Sequence, residues 1–284
     1  MPVDKAAFSK AMERNPHLSV YVQEFMNVQR KMPEFHPSLA KEVGDREEVN
    51  IIYPIGDPLF VHIFMTKSIP ITYTSVQPPL DDQLRPRYDK IVQQVYNKAL
   101  LEKPHETLKE FEENLMKLID ASTVISENTD MPKRKLFGDL FSEPRIPVTE
   151  EELERVKFHA REGIILSGPL QPLLMDPYIE DISCIGTQNI SLIHKIFQAT
   201  PTNIKFSSEE ELDNYVRSMS ERIGRPVSMA RPIVDGTLQD GSRINLVYAD
   251  DVSVRGPSFS IRKFAAEPIS VTQLVNWNTL SSQE

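Results

Sequence analysis

One cysteine, Cys184, stands in 284 residues. That scarcity excludes an intramolecular disulfide and a cysteine-based zinc cluster, and predicts a buried filler thiol in a reducing compartment. No apolar run approaches the ~20 residues that cross a bilayer, and the opening Met-Pro-Val-Asp-Lys lacks the charged-then-apolar pattern of a signal peptide. These absences predict a cytosolic location. There is no Gly-x-x-x-x-Gly-Lys-[Ser/Thr] loop and not even a Gly-Lys pair, so nothing cradles phosphates in the P-loop manner and no nucleotide hydrolysis is expected of the chain alone. The six histidines, at positions 17, 36, 62, 105, 159 and 194, are scattered at spacings unlike those of metal ligands. Ser167-Gly168 and Gly241-Ser242 do not make a Gly-x-Ser-x-Gly nucleophile elbow. The net charge of -9 comes without a long basic tract or a polyacidic tail, which argues against non-specific binding to DNA or anionic lipid.

The length suffices for two domains at roughly 100–200 residues each. Residues 1–46 carry short helical patterns (Phe8, Ala11, Met12, then Val20, Tyr21, Phe25, Val28) cut by Pro16, Pro33 and Pro37. Such helices either close over their own domain or dock a partner. Residues 49–53 and 59–65 read as a hairpin, and 69–76 as a third strand. From Asp81 the period changes to that of two amphipathic helices, through Leu84, Ile91, Val95 and then Leu108, Leu115, Ile119. Residues 126–148 lose periodicity and read as a linker. Thr149 and Glu152 form a capping box for the next helix, which ends near Gly163 and Gly168.

Beyond Pro169 the pattern is a hairpin (181–185 and 190–197, with His194 in its second strand), then a helix capped by Ser207 with Glu210 and stopped by Gly224, then strands near Val234, at 244–248 and at 258–264. The acids of Asp176-Pro-Tyr-Ile-Glu-Asp181 suit either acid–base work or, more simply, a turn fixed by Asp176. Ser270 with Gln273 would cap a short helix, and Ser281 with Glu284 would open one for which no residues follow, which points to a fragment.

The most informative stretch is Arg225-Pro-Val-Ser-Met-Ala-Arg231-Pro-Ile-Val-Asp235-Gly-Thr-Leu-Gln-Asp240-Gly-Ser-Arg243-Ile-Asn-Leu-Val-Tyr248. Gly236 and Asp240-Gly241 can supply the positive dihedral angles of tight turns, which would set Arg231, Asp235 and Arg243 on a rigid sheet edge. Residues 222–264 hold seven Lys and Arg against four acids, a local excess of three positive charges in an acidic chain. Guanidinium forks match phosphate or carboxylate oxygens two at a time. Surface pairing with Asp235, Asp240, Asp250 and Asp251 is the plainer alternative. In the last strand Phe259 and Ile261 alternate with Arg262, which therefore joins the candidate anion edge.

Taken in order, Leu174-Met-Asp-Pro-Tyr-Ile-Glu-Asp-Ile-Ser183, Arg225-Pro-Val-Ser, Arg231-Pro-Ile-Val-Asp-Gly-Thr-Leu-Gln-Asp-Gly-Ser-Arg243, Ser260-Ile-Arg-Lys-Phe264 and Thr279-Leu-Ser-Ser282 resemble the N-terminal part of the type II/IV secretion-system ATPase superfamily. The pattern looks most like the archaellum motor ATPase of archaea, strongly over 165–284 and weakly before. The resemblance implies an α+β chain: a helical region with a small sheet at 1–168, a PAS-like α+β domain at 169–268, and at 269–284 the start of a linker into a P-loop ATPase domain that this sequence lacks. It implies that Arg231 and Arg243, and with less support from motif position Arg255 and Arg262, reach ATP phosphates held with Mg2+ by the ATPase domain. It further implies a hexamer at the cytoplasmic face of the membrane whose partners are that domain, neighbouring subunits, the archaellum platform protein and companion motor proteins. An archaeal pilus or secretion ATPase shares these motifs. A non-catalytic anion- or nucleic-acid-binding module is the reading from another class, although the acidic total and the lack of aromatics among the arginines speak against nucleic acid.

Overall fold

The computed structural model describes residues 5–102, 107–129, 144–248 and 255–264. The expected helix starts at Ser270 and Ser281, and the Lys133–Lys135 run, lie outside them. The fold is α+β, as the pattern predicted. Two compact units divide the chain: residues 1–38, 52–61 and 76–175 form one, and residues 39–51, 62–75 and 176–284 the other. The longest segment of the second unit begins at Asp176, and two further segments of that unit lie far earlier in the sequence.

In the first unit, α1 (Lys5–Arg14) and α2 (Pro16–Gln29) are separated by Asn15, and Pro16 occupies the first turn of α2, where its missing N–H costs nothing. Phe8, Leu18 and Val22 from these helices join Phe35, Ile52, Phe60 and Val76 in a small core. Phe35 belongs to β1 (Glu34–Phe35), the first strand of a four-stranded sheet ordered β1-β2-β3-β4 with β2 (Val49–Gly56), β3 (Leu59–Met65) and β4 (Thr72–Val76).

A second core follows. It is built by α3 (Arg85–Ala99) and α4 (Leu108–Ser122), by β5 (Thr123–Ile125) paired in parallel with β6 (Ile146–Val148), and by α5 (Glu150–Ala160). Leu84, Ile91, Val95, Leu115, Ile119, Ile146, Leu153 and Val156 fill it. The linker expected at 126–148 therefore ends in a strand: Ile146 and Val148 are wholly buried, and three residues were too few to register as a period. The capping box at α5 is present with both bonds: Glu152 N donates to Thr149 Oγ1 and Thr149 N to Glu152 Oε2. Arg87 grips the same Glu152 with both arms at 2.7 and 2.6 Å and donates to Pro147 O at 3.1 Å. A π-turn (Arg161–Ile165) and α6 (Gln171–Met175) complete this unit.

The second unit is dominated by a six-stranded antiparallel sheet. Its strands are β7 (Ile179–Ile185), β8 (Ser191–His194), β9 (Gln198–Pro201), β10 (Ile233–Thr237), β11 (Arg243–Val247) and β12 (Ser258–Arg262), in the order β10-β11-β12-β7-β8-β9. One face carries Val234, Ile244, Leu246, Phe259, Ile261, Ile182 and Cys184, all buried. The amphipathic helix α7 (Glu209–Arg222), with Leu212, Val216 and Met219 also buried, supplies Tyr215, whose ring lies 5.9 Å from that of Phe259. Burial pushes the Cys184 thiol up to about 12, as befits an inert core filler.

Three local expectations are corrected. The helix cap is Ser208, whose hydroxyl accepts from Glu211 N, while Glu211 Oε2 accepts from Ser207 N. With Ser-Ser-Glu-Glu-Glu in the sequence, two capping frames one residue apart were open. The strand expected over 190–197 breaks after His194, because the buried imidazole Nδ1 accepts from the N–H groups of Ile196 and Phe197 and holds a turn into β9. Gly236 is no turn residue: it lies inside β10, where an added Cβ would come within 2.4 Å of Ile223 Cδ1 at the end of α7.

Just past the end of β9 the chain is tied to β4. Tyr73 bridges Thr202 in parallel, Asn203 N donates to Tyr73 O at 3.0 Å, and Ser75 N donates to Asn203 Oδ1 at 2.9 Å.

A candidate anion site on the open face of the sheet

The other face of β7, β10, β11 and β12 is laid out in rows by the antiparallel register. One row reads Thr237, Arg243, Arg262, Asp181; the next reads Asp235, Asn245, Ser260, Ser183; the third reads Ile233, Val247, Ser258, Ile185. Charge thus gives way to hydroxyls and amides, and then to carbon. Over the first two rows lies a pocket of about 960 Å³, which Arg225 and Ile223 also line.

The register separates the four candidate arginines. Arg243 and Arg262 face each other directly across β11 and β12. Arg231 precedes β10 and Arg255 precedes β12, so both lie past the third row, which is four residues or about 13 Å of strand from the first. A single phosphate cannot touch both pairs. Arg231 sits in a tight turn in which its N–H donates to Ser228 O at 2.9 Å and Ser228 N donates back to Arg231 O. The expected trio of Arg231, Asp235 and Arg243 is therefore not one cluster; of Gly236 and Gly241, only Gly241 has a positive φ (86°).

The acids near these arginines are largely occupied elsewhere. Asp235 accepts from Asn245 Nδ2 at 2.8 Å through its side chain and from Arg225 Nη1 at 2.9 Å through its carbonyl. Asp240 spends one carboxylate oxygen on Ser242 N and the other on Ser242 Oγ. Asp250 and Asp251 lie outside the described residues. Arg262 is held by Asp181 through two bonds of 2.9 and 3.2 Å, and that hydrogen bonding raises its already high pKa. Among the described residues Arg231, Arg243 and Arg255 have no side-chain partner. Asp181 was not singled out in the sequence as a partner of Arg262; its position two residues from Ser183 sets it on the open face, but only the β7–β12 pairing brings the two side chains together.

Asp176 is wholly buried and fixes the entry to β7 by accepting from Tyr178 N at 2.8 Å, the turn role expected for it. Its other oxygen accepts from Tyr73 OH at 3.0 Å, and Lys263 donates to its carbonyl. Burial brings the Lys263 ammonium down to about 8. Each of these groups helps hold the chain at the entry to β7. Among the described residues no set of three His, Cys, Asp or Glu side chains could hold a metal ion, and no helix is long and apolar enough to cross a membrane.

No family model matches the chain. It is 42% identical over 284 residues to the uncharacterized protein MJ0900 of Methanocaldococcus jannaschii, covering 99% of this chain and 51% of that protein. It is also 33% identical over 125 residues to MJ1288 of the same organism, covering 44% of this chain and 49% of the relative. The chain thus spans about half the length of these relatives. Among solved structures, the VirB11 ATPase from the Brucella suis type IV secretion system is 18% identical, with a TM-score of 0.34 over 44% of this chain and 35% of that one. That likeness is too slight to bear on fold or function. The relatives supply ancestry without an activity.

Proposed function

We propose that this chain is the N-terminal regulatory and docking region of a hexameric archaeal motor ATPase, which drives archaellum assembly and rotation, and that it presents arginines to ATP held by a separate P-loop domain. The observation that carries the reading is the fall of the motif series on one site. Residues 174–183 become β7 and its entry, 225–243 run through β10 to the start of β11, and 260–264 become the end of β12; each stretch borders the pocket where Arg243 has no side-chain partner among the described residues. The match to about half of an archaeal relative leaves in that relative a stretch as long again.

An arginine reaching developing charge on a transferring phosphoryl group stabilises the transition state, and an arginine carried on a separate body arrives only when the two close. ATP brings the phosphoryl group and Mg2+ neutralises its oxygens; Mg2+ would be held by the ATPase domain. The register favours Arg243 and Arg262 as the phosphate contacts and sets Arg231 and Arg255 at the far end of the sheet. The same region of a pilus-assembly or secretion ATPase would work alike. The test is ATP turnover by the chain continued into its ATPase domain. Arg243→Ala should lower kcat by about 10²–10³-fold with nucleotide still bound, and Arg231→Ala should lower it less. Turnover at the wild-type rate in both variants sinks the reading.

A further inference from the structure

Arginines 243 and 262 stand directly opposite one another on neighbouring strands. Like charges so placed repel, and sheets avoid the arrangement unless something answers the charge. Asp181 answers Arg262 from the far side, whereas the other neighbour of Arg243 is the uncharged Thr237. Two cations thus share one anion, and Asp240 and Asp235 are committed elsewhere. The Arg262–Asp181 pair is open to water, with side chains 77% and 36% exposed, so it is weak and exchangeable.

We infer that Asp181 is a resident competitor for the anion seat: it holds Arg262 until the end of a polyphosphate, first caught by Arg243, displaces it. The inference rests on the phosphate reading of the pocket. A group with a single negative charge would find Arg243 alone, because Asp181 both occupies Arg262 and repels an incoming anion. A phosphate chain carrying two or more charges can bridge both guanidinium forks and outbid one carboxylate. The seat therefore discriminates by charge, and Asp181 sets the threshold.

Calorimetric titration of inorganic pyrophosphate into the 284-residue chain, at fixed ionic strength, tests this. Asp181→Asn should bind about three- to tenfold more tightly than wild type, as expected for loss of one exposed competing charge, and Asp181→Ser should do the same. Arg243→Ala should lose at least about tenfold, the cost of a charge-assisted bidentate contact. Asp213→Asn removes an equal charge from the outside of α7, where Asp213 pairs with Arg217, and should leave affinity within about twofold if only the local acid matters. A parallel titration with ATP distinguishes a nucleotide from a free polyphosphate: equal gains in Asp181→Asn assign recognition to the phosphate end alone. If Asp181→Asn binds no better while Arg243→Ala still loses affinity, the competitor role is overturned and the site stands. If no variant binds pyrophosphate or ATP, the phosphate reading itself falls.

Discussion

Among the described residues two arginine–carboxylate pairs, each joined by two hydrogen bonds, stand in opposite settings. Arg87 and Glu152 have side chains 9% and 13% exposed, and Arg87 also donates to Pro147 O while Glu152 closes a capping box. Arg262 and Asp181 stand at 77% and 36%, and no further hydrogen bond holds either side chain among the described residues. A pair of the first kind is a pin: every atom of it is committed, and separation would leave a charge away from water. A pair of the second kind is a contact that water or another anion can replace at little cost. Each pair has two bonds, and burial decides which one can take part in binding.

The largest expected effect tests the pin. Arg87→Ala leaves Glu152 half-buried without its partner and should cost about 3 kcal/mol or more, measured by denaturant unfolding. A loss below 1 kcal/mol would place the two pairs in one class. The acid range gives the same experiment a sign. Hydrogen bonding to Arg87 holds the Glu152 carboxyl below its usual range, so its stabilisation is present above about pH 4.5 and lost as pH falls through the lowered folded value.

Next in size is the titration of two buried histidines in the second unit. Burial lowers His62, 2.8 Å from Asn50 Oδ1, and His194 to about 4. Between pH 6.5 and 4 the unfolded chain binds protons that the folded chain refuses, so stability falls with pH by up to about 3 kcal/mol per histidine. Glu162, in the π-turn of the first unit, has the opposite sense: burial raises it to about 7, and its contribution, full below about pH 4.5, is lost as pH rises through 7. Melting temperature followed from pH 7 to 4.5 in wild type and His62→Gln checks the slope, which the variant should flatten. Equal slopes would show that His62 titrates freely.

A smaller effect belongs to packing alone. Gly236→Ala sets a methyl within 2.4 Å of Ile223 Cδ1 and should cost about 1–3 kcal/mol. Ile223→Ala in the same background should recover part of it, and strict additivity of the two changes would sink the proposed contact.

Much of the architecture could be read from the chain. The helices α3, α4, α5 and α7 follow from their apolar spacing, and the box at Thr149 was explicit in Thr-x-x-Glu. The alternation of Phe259 and Ile261 with Arg262 gave the open face of the sheet. What escaped was long-range or side-chain-made. His194 ends a strand with its own ring nitrogen, and no backbone propensity encodes that. Gly236 resembles a turn glycine, because the sequence does not reveal that Ile223 will lie over it. The candidate arginines are a group of four in one dimension; antiparallel pairing, which reverses direction at every turn, deals them to two ends of the sheet. Asp181 and Arg262 are 81 residues apart and meet only through that pairing.

The tie just past β9 bears on how the second unit comes to be made. Asn203 accepts there from the N–H of Ser75, 128 residues earlier in the chain, and Tyr73 bridges Thr202. Closing so long a loop is slow, which defers this tie until distant parts of the chain have met. A shortened chain begun at Pro169 would keep all six strands yet leave Asn203 N and Asn203 Oδ1 without the partners that Tyr73 and Ser75 supply. The early segment thus anchors the chain where it leaves β9.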